Sequence, residues 1–362
     1  MKNKSLVLYD HQIFSYQSFG GVSRYFIELL KHIDPLLWDI SLLFSNNKYL
    51  NEINSNIFYI KLFNNLSFYK KERLILEMGK PYSIYKIINN NYKILHLTHY
   101  ESYANNFTKN PIVITYHDKL FSSYCFNKRT IREQKKCFKR ADKIISISNN
   151  TRKDLISLFD IDEKKIEVIY FGINKNIIRT VKRIIDEKYI LYVGARKGYK
   201  NFFRLLEAFT KIIQNDLSEL KLVCTGNPFN KDELNKIKKL GIKQSQISSK
   251  FYSETELMNL YQNAELFIFP SIYEGFGFPL LEAMINNCPV LCSNSSCFPE
   301  IAKNAAEYFS PLEIDDIYFK LRKVLFSDDI RKKLKINGLK RCEDFSWIKS
   351  AQKHVELYNS LI

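Results

Sequence analysis

The sequence predicts an α/β protein of two doubly wound, parallel-sheet domains, and three observations carry that prediction. Short apolar runs alternate with amphipathic helical stretches in the order strand, helix, strand, and the cycle runs twice. At 362 residues and 46% hydrophobic content, the chain is long enough for two cores, since a single core stops growing near roughly 250–300 residues. A polar stretch at 174–188 separates the two cycles, and a new apolar run begins at Ile190.

The first cycle opens with a strand at 6–9, a loop holding Gly20 and Gly21, and a helix at about 23–31. Further strands are expected at 40–44, 57–60, 94–97, 112–116, 144–147 and 168–170. In the second cycle, strands at 190–194, 220–225, 247–251, 266–270, 290–293 and 306–309 accompany a helix at 201–213, and residues 347–361 form a last helix. Such alternation implies parallel strands joined by right-handed crossovers. The expected organisation is therefore a first domain at 1–174, a linker at 175–188, a second domain at 189–345 and a closing helical segment at 346–362. The Asn- and Lys-rich stretches near 46–54 and 89–91 read as composition rather than function.

Composition narrows the function classes. The amino-terminal apolar run is too short for a signal peptide and no segment approaches a membrane-spanning length, so a cytoplasmic location is expected. Seven scattered cysteines (Cys125, Cys137, Cys224, Cys288, Cys292, Cys297 and Cys342) read as reduced thiols. A metal site at the Cys288, Cys292, Cys297 cluster is the alternative, although no histidine lies near it. The formal net charge is +17, with 26 basic against 16 acidic residues in the first 172 and 29 against 22 in the rest. The densest cluster is Lys128, Arg129, Arg132, Lys135, Lys136, Lys139 and Arg140, which at helical spacing forms one basic side. It reads either as a solvated face or as a surface for anionic lipid. Nucleic-acid binding is disfavoured, because the basic residues lack an interleaved aromatic platform, a helix-turn-helix pattern or zinc spacing.

The strongest motif is Glu274-Gly275-Phe276-Gly277-Phe278-Pro279, followed by Glu282. An apolar run stopped by Pro270 precedes it, as in a buried parallel strand. The glycines permit close backbone approach, and Pro279 suits the first turn of a helix. Unpaired amides at that helix start favour an anion such as a diphosphate. Glu282 is the lone charge on an otherwise apolar helix and needs a partner; ribose hydroxyls would serve as donors to its two oxygens. A capping Glu274 and a half-exposed Glu282 remain the plainer reading. Arg196 and Lys200 follow a strand end at Gly194, where both can reach a diphosphate. His117 closes an apolar strand ahead of Asp118, and His96, Thr98, His99 and Tyr100 close another, where they could line an acceptor pocket. Asp160-Ile161-Asp162 is a literal Asp-x-Asp but reads as a solvated loop. No Gly-x-Gly-x-x-Gly turn follows the first strand, which disfavours a nicotinamide dehydrogenase.

The two glutamates with seven residues between them, Gly-Phe-Gly-Phe-Pro included, closely resemble the signature of retaining glycosyltransferases of family 4, whose fold is the two-domain GT-B arrangement. Other segments agree in order: Gly20-Gly21 near the start, His117 at its strand end, Ile144–Ser148, Val168–Asn174, the basic turn from Tyr192 to Asn201, and Pro299-Glu300-Ile301. The likeness runs from about Leu6 to Tyr358 and is patchy between Phe44 and Lys93. It implies two Rossmann-like domains facing a cleft, with the closing helix crossing back to the first. It further implies transfer of a mannose- or glucose-like hexose, with retention and without a metal or other cofactor, from a GDP- or UDP-linked donor to a hydroxyl of a glycan or lipid-linked acceptor. His117, Glu274, Lys200 and Arg196 would be catalytic. Gly20, Gly21, Arg196, Lys200, Glu274, Gly275, Phe276, Gly277, Phe278 and Glu282 would hold the donor. Ala195 stands where the family often has arginine, which leaves Arg196 one position displaced. Polysaccharide or lipopolysaccharide synthesis at the membrane periphery is the implied setting. The open alternatives are a basic nucleic-acid- or partner-binding protein, a catalytically silent GT-B scaffold, and a nucleotide-sugar epimerase or phosphorylase of the same fold.

Overall fold

The computed structural model describes residues 5–53, 57–63, 66–118, 128–175, 177, 182–196 and 198–362, with the side chains of 128–130 outside that description. It divides into two compact units, Met1–Gly172 together with Ser346–Ile362, and Ile173–Phe345.

In the first unit the elements run β1 (Ser5–Tyr9), α1 (Gln12–Tyr16), α2 (Gly21–Lys31), β2 (Trp38–Ile40), α3 (Lys71–Asn89), β3 (Tyr92–Leu97), β4 (Ile112–Tyr116), α4 (Lys128–Arg140), β5 (Lys143–Ser146), α5 (Asn149–Phe159) and β6 (Ile166–Val168). The strands form one parallel sheet in the order β2-β1-β3-β4-β5-β6. Every residue of β4 is buried, as a central strand covered on both faces requires. Helix α5 starts with a reciprocal cap between Ser148 and Thr151 and ends at left-handed Asp160, so Asp160 and Asp162 serve as helix and turn caps.

Three expected strands differ. The one at 40–44 is shifted to Trp38–Ile40, and the one at 57–60 is only a bridge between Phe44 and Ile60. That bridge occupies the outer edge, where a third strand would give the order 3-2-1-4-5-6 with β6 as a seventh. Phe58 and Ile60 are exposed there, so little burial draws the segment into a ladder. The strand expected at 168–170 lies two residues earlier, as β6.

The second unit contains β7 (Tyr189–Tyr192), α6 (Phe202–Asn215), β8 (Lys221–Thr225), α7 (Lys231–Lys239), β9 (Ile247–Lys250), α8 (Glu254–Asn263), β10 (Leu266–Phe269), α9 (Phe278–Ile285), β11 (Val290–Ser293), α10 (Phe298–Ala302), β12 (Glu307–Phe309), α11 (Ile314–Leu325) and α12 (Asp328–Cys342). Its parallel sheet has the order β12-β11-β10-β7-β8-β9, again 3-2-1-4-5-6 read from β9, with the switch point between β7 and β10. The core joins Phe209 and Ile212 of α6 to Leu222 and Ile268 of the sheet and Leu321 of α11.

The last helix, α13 (Trp347–Asn359), belongs to the first unit. Its Tyr358 hydroxyl meets the Tyr9 hydroxyl at 2.9 Å and His96 Nδ1 at 2.7 Å, and His354 Nε2 lies 2.8 Å from the Tyr25 hydroxyl. Among the described residues no helix is long and apolar enough to cross a membrane.

Candidate active site

In an open parallel sheet, ligands bind beyond the carboxyl ends of the strands at the switch point. In the second unit that place is flanked by the loops after β7 and β10, which carry Lys200 and Glu274. Their side chains form an ion pair of 2.5 Å, with both only about one-seventh exposed (14% and 13%). The Ile272 amide donates to the Tyr199 carbonyl at 2.8 Å, tying the two loops together. The Lys200 ammonium also lies 5.4 Å from the ring centres of Tyr199 and Phe269, a cation–π setting. The Glu274 amide donates to the Ser296 hydroxyl at 3.1 Å.

Three residues beyond Glu274, Gly277 precedes α9 at a φ of 85°. A Cβ there would meet the Phe298 ring at 2.9 Å, so both conformation and space select glycine. Pro279 occupies the first turn, where its missing amide hydrogen costs nothing, and the Leu280 amide donates to the Gly277 carbonyl at 2.9 Å. Glu282 lies one turn into α9, where its Oε2 accepts a hydrogen bond from the Tyr261 hydroxyl of α8 at 3.2 Å.

Arg196 stands apart from this group. Its Nε donates to Glu233 at 2.9 Å, and Nη atoms donate to the Ser249 hydroxyl (2.9 Å) and the Asn227 carbonyl (2.7 Å). The guanidinium lies 4.9 Å from the Phe229 ring centre, and the side chain is 5% exposed. Gly194 turns the backbone at a φ of 126°, the Tyr192 hydroxyl donates to the Ala195 carbonyl at 2.7 Å, and α7 brings Glu233 to the guanidinium. The expected convergence of Arg196 with Lys200 is replaced by a buried ion pair with α7.

In the first unit the switch point lies between β1 and β3. Asp10, just past β1, is fully buried and accepts from the Thr98 amide (2.8 Å) and hydroxyl (2.6 Å). Burial pushes its carboxyl up to about 6, against the opposing effect of these hydrogen bonds. Gly20 caps α2 and Gly21 begins it; a Cβ on Gly20 would strike the Gln17 side chain at 2.5 Å, whereas one on Gly21 would meet open space. His117 is 4% exposed, its amide donates to the Tyr100 hydroxyl at 2.8 Å, and its Nε2 is buried without a hydrogen-bond partner. Burial, reinforced by His99, lowers its basicity to about 3, so the ring is neutral.

A pocket of about 800 Å³ in this unit is lined by Tyr16, Lys70, Arg73, Lys80, His99, Tyr100, Glu101 and Glu133 among others. His99 and Tyr100, expected at an acceptor pocket, line it. His96 and Thr98 do not: His96 Nδ1 and Nε2 are held by Tyr358 and Thr115 (2.9 Å) inside the core, and Thr98 is held by Asp10. His96 lies within β3 with its ring in the core, and Thr98, just past the strand end, is turned inward onto Asp10. The carboxylate Glu101, gripped by Arg73 and by Lys80 at 2.7 Å, is held below the ordinary carboxylate range by these partners, which outweigh its burial. Sequence reading missed Asp10, Glu101, Arg73, Lys80 and Tyr261. The only signal was position: Asp10 and Glu101 each follow a strand end.

Six cysteines are buried and free, Cys125 lies outside the described residues, and no group of three or more metal-ligating side chains occurs among the described residues.

Fold and strand-end geometry define the class first, a GT-B protein of two parallel six-stranded α/β units. Anabaena Alr3699/HepE, solved with UDP and glucose, superposes with a TM-score of 0.78 over 98% of this chain and all of that one, at 16% identity. Sucrose-phosphate synthase from Thermosynechococcus elongatus gives 0.77 over 99% of each chain, at 17% identity. At the sequence level, residues 19–176 match Glycosyltransferase Family 4 and residues 174–341 match Glycosyl transferases group 1. The chain belongs to the group 1, family 4 glycosyltransferases. It is similar to the O-antigen chain mannosyltransferase B of Escherichia coli (27% identity over 230 residues, 60% of each chain). It is also similar to the O-antigen chain mannosyltransferase RfbU of Salmonella typhimurium (31% over 173 residues, 48% of each). The matches span about half to three fifths of the length of these relatives.

Proposed function

We propose that the chain transfers a hexose, with retention, from a nucleotide diphosphate sugar to a hydroxyl of a glycan or lipid-linked acceptor. The observation that carries this reading is the Lys200–Glu274 pair at the switch point of the second sheet, directly before the amino terminus of α9. The breaking bond joins the anomeric carbon to the β-phosphate oxygen, and the new bond joins that carbon to the acceptor oxygen. Lys200 and the positive, amino-terminal end of α9 offset the charge that grows on the departing diphosphate. Glu282, already oriented by Tyr261, takes the ribose hydroxyls. Glu274 takes hydroxyls of the donor sugar, and Gly275, Phe276 and Phe278 wall the turn around it. Front-face attack, with a phosphate oxygen accepting the proton of the acceptor hydroxyl, needs no nucleophile from the protein.

In the first unit, His117 offers its neutral Nε2 to the donor sugar, Gly20 and Gly21 allow close approach, and the pocket at His99 and Tyr100 takes the acceptor. Arg196 acts through Glu233 as a positioning residue for the wall at Asn227 and Ser249. The names of the Escherichia coli and Salmonella relatives support mannose as the sugar and polysaccharide or O-antigen synthesis as the setting. The UDP complex of HepE supports a nucleotide sugar donor, and a GDP- or UDP-linked hexose with no metal requirement is the specific proposal. The chain would work in the cytoplasm, with the basic face of α4 against an anionic membrane.

Calorimetric titration with UDP, GDP, ADP and dTDP, without added metal, tests this reading. Selective binding of one diphosphate, weakened by Glu282→Ala, is the expected result. Failure to bind any of the four overturns it.

A further inference from the structure

Two residues that are not glycine hold a left-handed backbone beside the Lys200–Glu274 pair, Asn201 at a φ of 58° and Ser296 at 52°. That conformation is costly for an L residue, and asparagine tolerates it better than most. Asn201 also has a local reason to adopt it. It caps α6 and is buried, its Nδ2 donates to the Pro311 carbonyl at 2.5 Å, and its Oδ1 accepts from Arg204 at 3.0 Å. Its amide donates to the Gly198 carbonyl at 3.0 Å, which closes the turn that carries Lys200.

Serine lacks that tolerance, and Ser296 does not cap the helix that follows it. The cap of α10 is Cys297, which makes no side-chain cap bond. The Ser296 hydroxyl instead accepts the Glu274 amide at 3.1 Å. The rest of the loop from β11 to α10 braces the same turn. Ser293 Oγ donates to the Ser271 carbonyl at 2.7 Å and accepts from the Ser295 amide at 3.3 Å. Two residues past Ser296, the Phe298 ring lies 4.9 Å from that of Phe269 at the end of β10 and fills the space that a Cβ on Gly277 would enter. Cys297 and Phe298 are fully buried, whereas Asn294 is exposed. The left-handed turn between them lets the loop place two side chains in the core and still bring a hydroxyl to Glu274. Strain of this kind persists only where the surrounding contacts hold it, and it gathers at sites whose geometry matters.

We propose that Ser296 is a positioning residue for Glu274, fixing the backbone from which the carboxylate reaches the donor sugar; the inference rests on the reading of Glu274 as the holder of the donor-sugar hydroxyls. An ion pair sets a distance and not a place. Asn201 fixes the Lys200 side and Ser296 the Glu274 side, so the carboxylate keeps its orientation when a ligand draws the ammonium away. Without the Ser296 hydroxyl, Glu274 follows Lys200 and its oxygens no longer meet the sugar. Recognition of the diphosphate, through Lys200, Glu282 and the start of α9, remains.

Calorimetry on the full chain tests this with the diphosphate it selects among UDP, GDP, ADP and dTDP, and with the matching UDP-glucose, GDP-mannose, ADP-glucose or dTDP-glucose. Ser296→Ala removes the hydroxyl and keeps the strain, whereas Ser296→Gly removes both. Each should weaken the nucleotide sugar by about tenfold, the scale of one hydrogen bond to a charged group, and leave the plain diphosphate unchanged. Thermal midpoints should divide the pair: lower in Ser296→Ala, restored in Ser296→Gly, since glycine takes the left-handed turn freely. A serine with a merely structural role would make affinity follow stability. A glycine variant that regains wild-type affinity for the nucleotide sugar, or variants that lose diphosphate and nucleotide sugar alike, would overturn the proposal while the transferase reading stands. Wild-type protein that binds none of the four diphosphates would remove that reading and this inference together.

Discussion

Arg196 and Lys200 lie four residues apart in one turn and have opposite fates. Lys200 meets Glu274 at the switch point, whereas Arg196 is drawn into the unit by Glu233. Substitution should separate them. Lys200→Ala is expected to lower kcat by about 10²–10³-fold, the scale of losing one charge-stabilising donor, with little change in thermal midpoint. Arg196→Ala strands a buried carboxylate and should destabilise the second unit by about 3–5 kcal/mol in urea unfolding, and Glu233→Gln should reproduce that loss. Equal thermal midpoints for the Lys200 and Arg196 variants would contradict this division. The sequence exposes Glu274, Gly277, Pro279 and Glu282 because their chemistry is local, a turn opening a helix. It does not expose the partner of Arg196, because Glu233 lies 37 residues onward and only the packing of α7 brings it near.

Among the elements, α13 and the chain at Gly172 depend most on contacts distant in sequence. A Cβ on Gly172 would lie 2.1 Å from the Trp347 backbone nitrogen, so the segment leaving β6 and the start of α13 fit only through glycine. Gly172→Ala should destabilise the first unit by about 1–3 kcal/mol through overpacking, read as a lower midpoint in denaturant. Tyr358→Phe removes the hydroxyl shared by Tyr9 and His96 and should lower stability by about 1–3 kcal/mol by leaving buried partners unpaired. Periodicity reveals a helix at α13 but not these partners. The segment 57–60 shows the converse. Its run of apolar and aromatic residues has strand propensity, yet it finds one bridge, because pairing depends on burial against a neighbour and not on propensity alone.

For the whole molecule, titration should distinguish the two units, since all six histidines and both tryptophans fall in the first. Burial lowers His11 and His354 to about 4 and His117 to about 3, and holds His96 well below its ordinary value. Groups buried neutral stabilise the fold fully above their unfolded value near 6.5 and lose that contribution as pH falls through the folded values. Asp10, raised to about 6, acts in the opposite sense: its contribution is full below about 4 and is lost as pH rises through about 6. His99 is likewise lowered to about 4 by burial, and five histidines outweigh one carboxylate, so stability should fall on acidification from about pH 6.5 to 4. Tryptophan fluorescence should then change before circular dichroism is fully lost, and a single coincident transition would refute the prediction. By itself the sequence determined the two parallel α/β units, the family, and the loop of Glu274 and Gly277, because periodicity, turn chemistry and helix starts are written in consecutive residues. Only the tertiary structure decided that Arg196 faces Glu233 and that His96 is a core residue while His99 lines a pocket. Each of those depends on what another element, far along the chain, covers or leaves uncovered.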